Sequence, residues 1–286
     1  MNLKKIAVQW LRYINILSLD VVLGSVMAAI FACKVLDVEI QTWWLVVIAL
    51  TVWVMYTADH LLDAWQGKEQ LKIRRHSFHF KHMKRILPVW ITAAVTSIIL
   101  SLLELDREII YLGILLGISI LIYFGAVYFN KENRPYFLQK ELFIALIYVI
   151  GIWLAPIAWH GVNPDGMILM IIANLVLLAW AEGIIISWYE FHEDIADKHV
   201  SFSVLFGKNI SRRFIWFLLI MVFVFSISGI FFIADTMTIR FAFSIELLMG
   251  ITLMLLISFP NFFKEDDLYR YVGEGSFLLP ALLLLI

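Results

Sequence analysis

Two runs of acidic residues carry the spacing that chemistry would need. Asp59 and Asp63 fall in Tyr-Thr-Ala-Asp-His-Leu-Leu-Asp at 56–63, and Glu190, Asp194 and Asp197 fall in Tyr-Glu-Phe-His-Glu-Asp-Ile-Ala-Asp at 189–197. Helix residues four apart share a face, so Asp59 projects beside Asp63 and Glu190 beside Asp194, with Asp197 one turn farther on. Like charges at that spacing repel, and the negative end of a helix adds to the cost. A divalent cation would reverse both effects. Oxygen-only clusters suit Mg²⁺, which keeps several waters and completes its shell with phosphate. The competing assignment is a pair of solvated helix ends neutralised by neighbouring Lys and Arg.

The elements that must carry these acids are hydrophobic. Of 286 residues, 62% are hydrophobic and 16% charged. Apolar runs long enough to cross about 30 Å of hydrocarbon recur from end to end. They predict spans near 14–35, 42–63, 86–104, 108–129, 137–159, 166–189, 213–234, 241–260 and 272–286. The fold class is therefore all-α, a polytopic membrane bundle of about nine transmembrane helices in a single domain over 1–286. The last segment, Val272 to Ile286, would reach only about 22 Å as an α-helix. The stretches 64–85 and 190–212, which hold or follow the acids, are read as cytoplasmic loops.

Charge sets the orientation, because Lys and Arg are retained on the cytoplasmic side. Among the 22 basic residues, only Lys34, Arg107 and Arg240 fall on one side of these spans. The N-terminus and both acidic runs are thus expected in the cytoplasm and the C-terminus opposite. The first segment is kept as an uncleaved helix. One cysteine, Cys33, excludes an intramolecular disulfide and a Cys-rich metal site. The net charge of -1 is uninformative by itself, since the basic residues are concentrated on one face where they could meet anionic lipid or an anionic substrate, and nucleic acid is not an expected partner.

Asp59-His60-Leu61-Leu62-Asp63 with Arg74-Arg75 after it, and Glu190-Phe191-His192-Glu193-Asp194 with Ser201 to Gly207 after it, resemble the UbiA superfamily of intramembrane prenyltransferases. The resemblance extends over essentially the whole chain. It implies nine helices, a Mg²⁺ cofactor held between motifs after the second and sixth, and transfer of a prenyl group from a prenyl diphosphate to an acceptor. The acceptor class is aromatic or lipidic. Asp59 and Asp63 match the last two acids of the first family motif, and Glu190 and Asp194 match acids of the second. Met55-Tyr56 replaces the Asn-Asp pair that usually opens the first motif, and Ser187 replaces one Asp of the second. Lys140 resembles a basic residue often found at the start of the fifth span.

For the negative charge that grows on a leaving diphosphate, the candidate partners are Lys68, Lys72, Arg74, Arg75, Lys140 and Lys198. Arg75 is preferred, since a planar guanidinium grips phosphate with two parallel bonds. Within the spans, Asp20, Asn15, Asn174, Glu182 and Glu246 need a cavity or a partner. Glu182 lies two turns before Glu190 and is expected to line the same site. His76, His79 and His82, spaced every three residues, are read as loop surface or substrate contacts. Together with the acids they also raise an alternative, a His/acid metal centre of a membrane oxidoreductase. A proton-coupled transporter and a catalytically degenerate binding or assembly subunit complete the alternatives.

Overall fold

A computed structural model describes residues 12–67, 74–129, 140–197 and 200–286. Lys68, Lys72 and Lys198 lie outside the described residues, as does the side chain of Arg74. The described chain is helical, with no strand. The long helices are α1 (Leu19–Val35), α2 (Thr42–Gly67), α3 (Arg74–Glu104), α4 (Arg107–Phe129), α5 (Lys140–His160) and α6 (Gly166–Tyr189). Two short helices follow, α7 (Phe191–Ala196) and α8 (Phe202–Phe206), then α9 (Lys208–Ser228), α10 (Met237–Ser258), α11 (Pro260–Lys264) and α12 (Leu268–Ser276).

Six helices are long and apolar enough to cross a membrane, and a bent pair at the C-terminus makes a seventh if it counts as one span. Their outer faces are those of a protein solvated by lipid: Leu103, Leu121 and Phe232 are each more than 70% exposed. In water so many exposed large side chains would be prohibitive, whereas hydrocarbon accepts them. The chain is an integral membrane protein.

Three expectations change in detail. The first segment is interrupted, since Ser18 adopts φ 54° and separates a helical turn at 12–16 from α1. The basic stretch before the third span is not all loop, because α3 begins at Arg74 and runs through Pro88 without ending. Residues 272–286 do not form one helix: α12 stops at Ser276, and a 3₁₀ run over Leu279–Leu285 continues at 42° to the helices before it.

Packing follows two groupings. α2 runs along α3 and α4 along α5, while α6, α9 and α10 form a mutually packed set. α1 touches α2, α5 and α12, so the two ends of the chain meet in the bundle. Between α9 and α10 the approach depends on Gly229, where an added Cβ would come within 2.3 Å of the Phe243 ring. There α9 widens into a π-turn over Gly229–Ile233.

The α6, α9 and α10 set contains its own polar tie. Asn174 Nδ2 donates to Ser226 Oγ at 2.9 Å and to Glu246 Oε2 at 2.8 Å, and all three residues are fully buried. A carboxyl in this interior depends on that amide, because no water can replace it. Asn174→Leu is expected to destabilise the detergent-solubilised protein by about 1–3 kcal/mol in an unfolding titration, the penalty of stranding a buried polar group. Adding Glu246→Leu should recover most of the loss. A double variant as unstable as the single one would contradict this role.

Candidate functional site

The second acidic run is built by a break in helical geometry. α6 ends at Tyr189, and Glu190 (φ -91°, ψ 11°) turns the chain into α7. Helical bonding persists across the break: Glu190 N–H donates to Ile186 O and Asp194 N–H to Glu190 O. Glu190 and Asp194 therefore keep their four-residue relation. The turn is clamped from several sides. Tyr189 O–H donates to Leu256 O at 2.6 Å, Trp188 Nε1 donates to Lys208 O at 3.0 Å, and Phe202 N–H donates to Glu141 Oε1 at 2.7 Å. Ser187, which stands where the family pattern has an acid, pairs with Ser203 at 3.0 Å.

The first run is carried by a continuous helix. On α2, Asp59 and Asp63 both face Lys140 at the start of α5, with Nζ 3.0 Å from Asp59 Oδ2 and 3.7 Å from Asp63 Oδ2. The shared cation is the geometric proof that the two acids lie on one face.

Two cavities meet beside Lys140. The smaller, about 200 Å³, is polar and lined by Arg75, Lys140, Arg270, Glu190, Asp194 and Glu274, with Glu182 deeper on α6. The larger, about 500 Å³, is apolar and lies between the α2–α3 and α4–α5 pairs. Tyr56, Lys140, Ile144 and Tyr148 line both. On α2 the apolar cavity runs from Asp59 to Trp44, and on α5 from Lys140 to Ala155. Fifteen residues of helix cover about 22 Å, most of the roughly 30 Å thickness of a bilayer's hydrocarbon. Gly113 and Gly117 line it on α4.

Of the expected site residues, Asp59, Glu182, Glu190, Asp194, Arg75 and Lys140 line one or both cavities. Asp63 joins them through Lys140. Asp197 caps α7 and lines neither. Of the remaining members, Asn15 stood out as a polar residue in need of a partner, whereas nothing in the pattern of residue types marked Arg270 or Glu274. Arg270 and Glu274 lie four residues apart on α12, and Asn15 reaches in from the turn before α1. Arg75 pairs with Glu274 and donates to Asn15 Oδ1 at 3.1 Å. Asn15 Nδ2 donates in turn to Glu274 Oε2 and, at 2.6 Å, to Asp20 Oδ2. Arg270 pairs with Glu190, which also accepts the Tyr269 hydroxyl at 2.8 Å.

These pairings explain the electrostatics. Burial alone would lift the Glu190 carboxyl, but Arg270 beside it outweighs burial and holds it below the ordinary range. Among the described residues no cation forms an ion pair with Asp194: burial pushes its carboxyl up to about 7, and Glu190 and Glu141 nearby add to the rise. Glu182 Oε1 is buried with no hydrogen-bond partner among the described residues.

The histidines occupy different ground. His79 and His82 are on α3 rather than on a loop, each with Nδ1 on the carbonyl four residues back. His79 is buried and its ring lies 5.0 Å from that of His60, whose Nε2 is 3.1 Å from Ser18 Oγ. Neither the surface nor the substrate-contact assignment fits His79, because it packs α3 against α2.

Among the described residues, no three His, Cys, Asp or Glu side chains converge to hold a metal by themselves. The donor set still fits Mg²⁺ in one form, an ion held by one or two carboxylates and completed by a ligand's phosphate. Asp194 offers such oxygens in the polar cavity, and Asp59 offers them at the charged end of the apolar one, beside Lys140, which lines both. The fold and site thus define a helical membrane protein in which a charged cavity and a long apolar one share Tyr56, Lys140, Ile144 and Tyr148 as lining. No protein-family model, curated protein or solved structure matches the chain.

The raised Asp194 carboxyl has a direct consequence for stability. In the folded chain it keeps its proton up to about 7, against an ordinary value of 3.8, so its stabilising contribution is full below about pH 4 and is lost as pH rises through 7. Asp194→Asn should therefore match the parent near pH 4 and exceed it at pH 8, by on the order of 2–4 kcal/mol. Thermal unfolding across that range measures the difference, and curves that stay parallel would refute it.

Proposed function

We propose that the protein transfers a prenyl group from a prenyl diphosphate to an aromatic or lipidic acceptor at the cytoplasmic side of the membrane, with Mg²⁺ as cofactor. The observation that carries this proposal is the junction of the two cavities. A ligand with a highly charged head and a long apolar tail matches a small cavity lined by Arg75, Lys140 and Arg270 that adjoins, across Tyr56, Lys140, Ile144 and Tyr148, about 22 Å of apolar space. The same reading takes Leu19–Val35, Arg107–Phe129 and the bent C-terminal pair as spans, which makes nine, and puts the N-terminus in the cytoplasm. The likeness of Asp59 to Asp63 and of Glu190 to Asp194 to UbiA motifs supports it.

In this mechanism the tail lies between α2 and α5 and the diphosphate meets the basic residues of the polar cavity. Asp59 and Asp63 on one side and Glu190 and Asp194 on the other would hold Mg²⁺, which supplies charge neutralisation on the leaving diphosphate. The allylic carbon–oxygen bond breaks with its electron pair leaving on diphosphate. Arg75, Lys140 and Arg270 stabilise that growing charge. Tyr56 and Tyr148 stand at the junction, where their ring faces attract the allylic cation. The acceptor then attacks the carbon, and its displaced proton passes to Glu182.

The experiment is turnover of the purified protein with prenyl diphosphates of several lengths, with and without Mg²⁺. Asp59→Asn and Asp194→Asn are expected to lower kcat by about 10²–10³-fold. Retention of full turnover would remove these acids from the mechanism. Turnover absent from the parent under every condition would favour a binding or assembly subunit, a role consistent with carboxylates already matched by protein cations. Gly117→Leu tests the tail cavity separately. A Cβ there meets no atom within 4 Å, so the variant should fold normally yet reject the longest tails the parent accepts. Product masses unchanged in Gly117→Leu would place the tail elsewhere.

A further inference from the structure

Among the described residues, every cation lining the polar cavity already has a carboxylate beside it. Lys140 has Asp59 and Asp63, Arg75 has Glu274, and Arg270 has Glu190 with Glu274 at 3.8 Å. A cavity so compensated has no net attraction for a further anion. For a diphosphate to bind, either new positive charge must arrive with it or an existing pair must part, because an added buried charge is prohibitive unless matched.

The pairs are not equally suited to parting. Arg75 is held by both Asn15 and Glu274, and Asn15 is tied to Glu274 and Asp20, so that pair is locked between the two ends of the chain. Arg270 is held differently. Its Nε, at 2.6 Å, and its Nη2 both point at one atom, Glu190 Oε1, which also accepts the Tyr269 hydroxyl. The guanidinium edge thus meets a single carboxylate oxygen that a hydroxyl also shares, and Glu190 Oε2 accepts neither of these hydrogen bonds. The Nε–Nη2 edge of a guanidinium is shaped for two parallel oxygens, as a phosphate or a bidentate carboxylate presents them. At Glu190 it is given one.

From this mismatch we infer that Glu190 and Arg270 are exchangeable stand-ins for the ligands each takes up in the working site. Arg270 passes from Glu190 Oε1 to two oxygens of the diphosphate, and Glu190, released, turns to the cation that accompanies the diphosphate. Arg270 is thereby an anion-binding residue and Glu190 its resident counter-ion. The exchange makes cation and anion uptake mutually dependent, and it rests on the diphosphate ligand proposed above.

Calorimetric titration of the full chain in detergent tests it with inorganic pyrophosphate and Mg²⁺ as probes, alone and together. The parent should bind pyrophosphate at least tenfold more tightly with Mg²⁺ than without. Glu190→Gln frees Arg270, so metal-free pyrophosphate should bind at least tenfold more tightly than to the parent, with most of the Mg²⁺ dependence gone. Arg270→Gln should lose at least tenfold in affinity for pyrophosphate with Mg²⁺, while Mg²⁺ alone binds as well as or better than to the parent. Equal metal-free affinity in Glu190→Gln and the parent would overturn the exchange. If Glu190→Gln does not fold, unchanged pyrophosphate affinity in Arg270→Gln would overturn it equally. Binding that follows the expected pattern in a parent without prenyl transfer would sink the proposed reaction and leave the exchange standing.

Discussion

Ionised groups removed from water between membrane helices must be matched by partners within the protein, and this constraint organises the site. The chain meets it with a continuous network: Asp20, Asn15, Glu274, Arg75, Arg270, Glu190 and Tyr269 link the turn before α1, the start of α3, the end of α6 and the whole of α12. Breaking one member leaves a buried charge without its complement, which is far costlier than the pair itself is worth. The network therefore fixes where the ends of four elements sit relative to one another. Lys140 does the same for α2 and α5 by bridging Asp59 and Asp63.

That arrangement separates two environments within a short distance. On one side of Tyr56 and Tyr148 the lining carries charge, and on the other it is aliphatic and aromatic. An apolar lining offers water too few hydrogen-bond partners to hold it, whereas the charged lining does offer them. Such a boundary suits chemistry at the joint between a charged head and an apolar tail. The smooth wall at Gly113 and Gly117 keeps the long cavity open on the α4 side.

The helices were legible because apolar runs of membrane length announce themselves, and the acids were legible because a four-residue spacing on a helix is a local pattern. Glu182 was found by the same reasoning, two turns from Glu190. The partners were not legible. Arg75 and Glu274 are 199 residues apart and Asn15 and Glu274 are 259 apart, and no local period encodes a contact at such separation. Arg270 looked like one of many positive charges retained on the cytoplasmic face. The break at Ser18 was hidden by apolar neighbours on both sides, yet it is what lets Asn15 leave the axis of α1. The histidines at 79 and 82 were read as loop because their basic neighbours suggested a solvated stretch, whereas α3 extends to Arg74, includes both, and carries His79 into contact with His60 on α2.

The central claim is that one ligand bridges the charged cavity and the apolar one. Its most direct test is an experimental structure of the protein with Mg²⁺ and a non-hydrolysable prenyl thiodiphosphate. The account requires the diphosphate between Asp59 and Glu190 within reach of Arg270, with the prenyl chain running between α2 and α5 toward Trp44. Density for the analogue anywhere else, with Glu190 still paired to Arg270 and the apolar cavity vacant, would contradict it.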